Sequence, residues 1–506
     1  MTIRTLGLFV AQYSQRWQLI SWIAGTMVAV LAFWLSSGLS IWFDEAYSLV
    51  LISQPVEKLI ALTSVDIHPP FYYLYLKLWS TIWGSGDLSL RASTVICAAL
   101  GVVVMLHLIQ RLFGSTITVL STPFLVVAPF YLRYAYELRM YALASLVCIS
   151  ATHILDKALC AKTPAQRRRW WISYAGLVAV GMYTLYITAF VWIAHGVWVI
   201  AGLRRRKVPI NQLHKTPWLW AIAAAIVLYI PWLPSIISQA VHPALGAVAD
   251  AFSPKTVSTL TTFFWQYQAS WQLSPLATLS WLIAMVLASW AMVQSWRLES
   301  ARTRRGLALF GLIVTVQFLI IMTLSLSPGG SIFNERYFAD ISLFAYALVA
   351  VAMATIIRHG GNRVKITAAL LFMTLTFGVY NLAQVDNYSY QRWKTPSSKS
   401  AASEISCTSE NTVMTAHPLL YFELLHYLPV GCNLVTYNEG KVAGHYGGYA
   451  YLEHSPDLIL DPNSIQSRQI YLVYDDTQPP FRLDPLYQQK ASWQWHETRL
   501  DLYEKP

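Results

Sequence analysis

Three stretches of this 506-residue sequence set acidic and basic side chains where chemistry could follow. The first is the doublet Asp44-Glu45, between Phe43 and Tyr47, with Asp66 and His68 further on. The second runs from Arg133 to Tyr141 and contains Glu137 and Arg139; the third is Glu335-Arg336-Tyr337. Carboxylates in such places can act as general bases or metal ligands. Arginines can clamp a phosphate through two parallel hydrogen bonds. Taken singly, most of these residues have a plainer role. Arg133 and Arg139 suit headgroup anchoring, Glu137 suits a salt bridge, and His68 before Pro69-Pro70 suits a loop hydrogen bond. The doublet differs, because it has no salt partner beside it in sequence. It follows directly on an apolar run long enough to cross a bilayer, where charges need either solvent or a function.

The elements that position these residues are membrane helices. Hydrophobic residues make up 56% of the chain and charged ones 12%, against roughly 25% charged in soluble proteins. A mean hydropathy of +0.43 over the whole length points to several spans rather than one anchor. The 21 Trp and 29 Tyr suit interfacial belts. The net charge of +11 sits in short runs between apolar segments, at 167–169, 204–207, 302–305 and 358–365. That is the positive-inside pattern, so the excess reads as topology and contact with membrane lipid, not as nucleic-acid binding. Solvated loops with no specific partner account for these runs.

The pattern predicts about eleven transmembrane helices. They fall at about 17–39, 91–112, 116–131, 140–159, 218–237, 276–296, 307–326, 338–357 and 366–382, with a hairpin of two short helices within 170–203. The hairpin tip falls near Tyr183–Tyr186, and Pro231 and Pro234 break the end of the 218–237 span. The N-terminus, without a cleavable signal, is expected to be cytoplasmic, and all three charged stretches outside. Interfacial helices are expected at 46–62 and 71–83 in the first external loop, and at 257–271. The double proline Pro69-Pro70 ends one helix and opens the next. Residues 1–383 form the transmembrane domain. Residues 384–506 read as a small extracytoplasmic α/β domain, with strands at 412–415, 433–437 and 469–474 and a helix at 419–427. It has no glycine-rich phosphate loop, and Cys407 and Cys432 could pair if that side is oxidising.

Asp44-Glu45 after the first span, His68-Pro69-Pro70-Phe71-Tyr72-Tyr73, and Glu137-Leu138-Arg139-Met140-Tyr141-Ala142-Leu143 together resemble the GT-C membrane glycosyltransferases. The similar branch is that of the protein O-mannosyltransferases and lipid A aminoarabinose transferases, over about residues 15–385. The resemblance implies a GT-C fold in a bacterial-type cytoplasmic membrane, with the active site on the outer face and a role in the cell envelope. It assigns Asp44 as catalytic base and Glu45 as the second acidic residue of the mannosyltransferase branch. Glu137 matches the acidic position that helps form an acidic or metal-binding centre. Asp66-Ile67-His68-Pro69-Pro70 stands where aminoarabinose transferases carry a Glu-Lys-Pro type sequence, with Ile67 for the glutamate and His68 for the lysine. Asp66 and His68 are the candidates to substitute. Arg139, Arg336, Tyr337, His68 and Arg91 make up the implied donor-phosphate set. Glu137, Asp66 and His68 make up the implied ligand set for a divalent metal cation.

The implied reaction is an inverting transfer from a polyprenyl-phosphate-linked sugar to a glycolipid, polysaccharide or protein acceptor. Two other classes compete. A lipid or glycan transporter or flippase predicts charges at mid-membrane, whereas here they gather at span exits. A membrane-anchored glycan-binding assembly protein needs far fewer spans than this chain has.

Overall fold

A computed structural model describes residues 16–241, 254–267, 273–298, 300–326, 333–384, 397–415, 418–437, 451–452, 455–475, 483–495 and 498–506. The N-terminal head, residues 242–253 and 268–272, and residues 327–332 before Glu335 lie outside the described residues. The chain divides into two compact units. One holds residues 1–35, 88–233 and 245–384; the other holds 36–87, 234–244 and 385–506. The first external loop thus belongs with the C-terminal segment, a grouping that crosses the expected boundary at 383/384.

The first unit is helical. Among the described residues, eight helices are long and apolar enough to cross a membrane: Trp17–Ser36, Asp87–Phe113, Tyr141–Leu159, Pro217–Gln239, Pro275–Leu298, Ala301–Ser325, Ser342–His359 and Asn362–Ala383. A ninth arises if Ser115–Val126 and Pro129–Ala135 are counted as one span; their axes differ by 67°. The bend has a chemical cause. Pro123 inside the first piece and Pro129 at the start of the second each lack a backbone N–H, so the ladder breaks between them. Pro164–Thr184 and Thr188–Arg205 form the expected hairpin, though neither meets the same length and apolarity measure. Thr163 caps the first of these, its hydroxyl accepting the Gln166 N–H at 3.2 Å.

Large apolar side chains that remain exposed, such as Trp22, Val30, Ile226, Leu279 and Val286, lie on these spanning helices and suit contact with lipid. Inward faces pack closely. A side chain at Gly101 would put its Cβ 2.5 Å from the Tyr131 hydroxyl, which donates to the Ala98 carbonyl at 2.7 Å. That glycine lets the bent segment approach the Asp87–Phe113 helix.

In the second unit the expected helix at 46–62 is two helices, Phe43–Ser53 and Val56–Val65, separated at Gln54-Pro55. Pro55 removes the N–H that would continue the first. Phe71–Trp83 follows as expected. The C-terminal segment holds a six-stranded sheet in the order β3-β2-β1-β4-β6-β5. Its strands are β1 Asn411–Thr415, β2 Leu434–Tyr437, β3 Leu458–Ile459, β4 Gln469–Asp475, β5 Gln488–Trp495 and β6 Thr498–Glu504. β1 pairs in parallel with β2 and β4, while β6 runs antiparallel to β4 and β5. β1 is buried along its whole length, as a parallel strand covered on both faces must be. β5 is an edge strand, largely polar and partly exposed, which discourages further pairing. Met414, Val435, Ile470, Leu472, Tyr474 and Tyr487 form the core of this sheet.

Cys407 and Cys432 form a disulfide across 25 residues of sequence. A closed loop of this size restricts the unfolded chain by an amount worth about 3 kcal/mol. Replacing both cysteines with serine is expected to lower the stability of the sheet domain by about that amount. Thermal unfolding of the full chain followed by circular dichroism measures it, and an unchanged transition would count against a structural role for the bond.

Candidate functional site

The acidic doublet opens the helix Phe43–Ser53, and the helix treats its two carboxylates differently. Glu45 is completely buried, and its side chain reaches back to accept the Trp42 N–H at 3.3 Å. This is the glutamate half of a capping box, which satisfies a backbone donor left over at a helix start. Asp44 stands one residue earlier and is half-buried. Both acids sit in the first turn, where the helix dipole favours negative charge.

Two neighbours hold this helix. Lys77, from the helix Phe71–Trp83, donates to the carbonyls of Ile52 and Gln54 at 2.7 and 2.8 Å. A cation is thereby placed on the helix's unsatisfied C-terminal end. From the C-terminal segment, the helix Pro418–Tyr427 sets Phe422 against Phe43 and Tyr47, with ring centroids 6.1 and 6.0 Å apart. Tyr427 accepts the Ile41 N–H at 2.8 Å and donates to Asp87 at 3.2 Å. His426 Nε2 bonds the other Asp87 oxygen at 2.8 Å.

Asp66 caps the end of Val56–Val65 and is buried. His68 Nδ1 lies 3.5 Å from its Oδ2, within ion-pair reach. Tyr72 and Tyr73, just beyond the double proline, are completely buried. Gln239 closes the same helix end by donating to the carbonyls of Thr63 and Ser64 at 3.1 and 3.0 Å.

In the helical unit, the stretch from Arg133 to Tyr141 is buried throughout. Arg133, Glu137 and Arg139 are each 3% exposed or less. Burial follows from the bend at Pro129, which turns the segment into the protein. Arg133 pairs with Glu137 through Nη1 and Oε2. Its guanidinium also lies 5.3 to 5.9 Å from the ring centres of Tyr134, Tyr136 and Tyr267. Burial pushes the Tyr267 hydroxyl well above the usual phenol range, so Tyr267 meets the cation as a neutral ring. Arg91, also buried, donates to the Tyr136 carbonyl at 3.2 Å. The Arg139 N–H donates to the Glu137 carbonyl at 2.7 Å, tightening the turn between them.

Arg336 and Tyr337 lie in a short 3₁₀ turn, Glu335–Phe338, and both are half-buried. Asn334 fixes the turn by accepting from the N–H and Nε of Arg336 at 3.1 and 3.2 Å. Three residues beyond Tyr337, Asp340 is completely buried and was not singled out as a site residue from sequence. Gln317 donates to its Oδ1 at 2.7 Å and to the Tyr337 carbonyl at 2.8 Å. Burial pushes the Asp340 carboxyl up to about 7, against the pull of the Gln317 hydrogen bond. The available sequence signal was an aspartate at the mouth of an apolar run.

Among the described residues, no group of three His, Cys, Asp or Glu side chains is placed to hold an ion. Glu137 receives Arg133, and Asp66 faces His68.

Residues 67–234 match the family described as dolichyl-phosphate-mannose-protein mannosyltransferase. That span includes His68, Arg91, Glu137 and Arg139 and ends before Arg336. A sequence search of curated proteins returned no match. Among solved structures, the chain is similar to ArnT from Cupriavidus metallidurans in the apo state. The identity is 13% and the TM-score 0.60, covering 95% of this chain and 97% of that one. It is similar also to ArnT from the same organism bound to undecaprenyl phosphate, at 13% identity and a TM-score of 0.58, with the same coverage. At such identity the structural likeness speaks for the fold. The chain therefore shares the fold of these structures, with several helices long and apolar enough to cross a membrane.

Two outcomes follow from the buried charges. Glu137→Gln leaves the Arg133 cation buried without its carboxylate, at a cost of roughly 3–5 kcal/mol. Unfolding in detergent should register that loss, and Arg133→Met combined with Glu137→Gln should recover part of it. For Asp340, the unfolded carboxyl titrates near 3.8 and the folded one near 7. Between those values the folded state binds more protons, so stability falls as pH rises. Asp340→Asn is therefore expected to gain melting temperature over the wild type from pH 4 to pH 7, then hold a constant difference. A difference independent of pH would show that Asp340 titrates normally.

Proposed function

We propose that this protein is a glycosyltransferase that moves a sugar from a polyprenyl-phosphate-linked donor to a hydroxyl or amine acceptor on the outer face of the cytoplasmic membrane, with inversion. The observation that carries the reading is the division of labour within the doublet. Glu45 is spent on the helix start, while half-buried Asp44 is held beside it on a helix anchored from both ends.

In this reading Asp44 takes the proton of the acceptor as the acceptor oxygen or nitrogen attacks the anomeric carbon. The bond from that carbon to the phosphate oxygen breaks, and the lipid phosphate leaves with the electron pair. By the resemblance, Arg139, Arg336, Tyr337 and His68 are assigned to the charge growing on that phosphate, and Arg91 supports the turn that carries Glu137. The undecaprenyl phosphate in the ArnT structure supports a polyprenyl carrier. The acceptor class, whether glycolipid, polysaccharide or protein, belongs to the proposal, as does a hexosyl or pentosyl donor. The basic runs and the Cys407–Cys432 disulfide, a bond favoured in oxidising compartments, support a cytoplasmic N-terminus and an external sheet domain.

The test is transfer by the purified full-length protein in liposomes, using radiolabelled polyprenyl-phosphate sugars and a panel of acceptors. Loss of the base should lower the rate by about 10²–10⁴-fold in Asp44→Asn, with the melting temperature unchanged. A fully active Asn variant would sink the assignment of Asp44. Release of intact donor across the bilayer without sugar transfer would instead point to a transporter. Activity after exhaustive chelation measures whether a cation takes part.

A further inference from the structure

The basic runs at the opposite helix ends are not merely scattered over solvated loops. Two of these runs meet within the helical unit, together with Arg111 from a third helix end. Arg111 stands in the last turn of Asp87–Phe113, and Arg205 in the last turn of Thr188–Arg205, followed by Arg206. Arg302 and Arg305 stand at the start of Ala301–Ser325. Arg302 Nη2 donates to the Arg111 carbonyl at 2.9 Å, and the Arg305 guanidinium lies 5.5 Å from the Trp198 ring centre.

These residues line two adjoining cavities of about 180 and 310 Å³ that share Trp198 and Arg305. Arg205 and Arg206 belong to the first, Arg111 and Arg302 to the second. Among the described residues the linings hold a single carboxylate, Asp156, and it is already paired with Arg111. Arg205, Arg206, Arg302 and Arg305 are solvent-exposed and meet no carboxylate in these linings, an excess of positive charge that favours an anion. The first turn of Ala301–Ser325 sharpens the point. Described residues there include no acid, although the positive end of a helix dipole favours one, and arginines stand in its place. The linings are also partly apolar. Leu159, Val199 and Leu203 line one cavity, and Leu112 and Leu309 the other. An amphiphile satisfies both kinds of surface, whereas a free ion satisfies only one.

We propose that this pair of cavities binds an anionic phospholipid whose headgroup carries two phosphates, one for each cavity. The orientation proposed above puts the site in the cytoplasmic leaflet. Its chemistry is separate from sugar transfer.

The probe is cardiolipin, added to delipidated full-length protein in detergent, with bound lipid counted by native mass spectrometry. The wild type is expected to hold one cardiolipin at least tenfold more tightly than phosphatidylglycerol, which has a single phosphate. Arg302→Gln with Arg305→Gln should weaken binding at least tenfold, as should Arg205→Gln with Arg206→Gln. The two pairs lie on different helices, so a folding defect in one leaves the other informative. Arg204→Gln, outside both linings, should bind normally, and so should Asp44→Asn, which separates this site from the transfer reaction. Equal binding by the paired variants and the wild type would overturn the site. Equal affinity for phosphatidylglycerol would overturn the two-phosphate assignment. Displacement of cardiolipin by equimolar inorganic pyrophosphate would overturn the lipid in favour of a soluble diphosphate.

Discussion

Phe422 seated between Phe43 and Tyr47 is the contact on which the candidate base depends. The helix Phe43–Ser53 is only 11 residues long. A helix of that length is marginal in water and takes its stability from what it packs against. Here the packing comes from a helix of the C-terminal segment, supported on the other side by Lys77 at the carbonyl end. The helix Pro418–Tyr427 of the C-terminal segment is therefore part of the frame around Asp44. Tyr427 extends that frame to the backbone at Ile41 and to Asp87, so the start and end of the first loop share one anchor.

In the helical unit the corresponding constraint is buried charge. Taking Arg133 and Glu137 out of water costs more than an exposed pair returns, so such a pair needs close geometry and further partners. Three tyrosine rings supply them. The Pro123 and Pro129 bend makes this burial possible by ending a spanning helix early and turning its last residues inward. Asp340 solves the same problem differently: it holds its proton to higher pH and takes a hydrogen bond from Gln317.

Much of the fold was legible in the residues. Apolar runs and basic clusters located the spanning helices, and the 170–203 hairpin was legible because both of its ends are basic. Pro69-Pro70 marked the helix Phe71–Trp83, and β-rich runs marked β1, β2 and β4. The break at Pro55 could have been read from the same rule that located the others, since proline ends a helix wherever it removes a needed N–H. Burial of Arg133 to Tyr141 was not legible, because charge and aromaticity at a helix exit suit an interface as well as a core. Nor was the meeting of Arg205 and Arg305 beside Arg111, since their separation in sequence makes the 204–207 and 302–305 runs look like ordinary topological signals.

The sequence by itself determined the membrane class, the spacing of the helices and the position of the acidic doublet after the first span. These follow from local quantities: hydropathy over one bilayer thickness, proline chemistry and the sign of loop charge. Tertiary structure alone decided what each charged residue does. It gave Glu45 to a helix cap, Glu137 to Arg133 and Lys77 to a helix end, and it drew two of the basic runs into one lined cavity pair. The reason is physical: the state of a charge depends on its desolvation and its partners, and both come from residues far away in the chain.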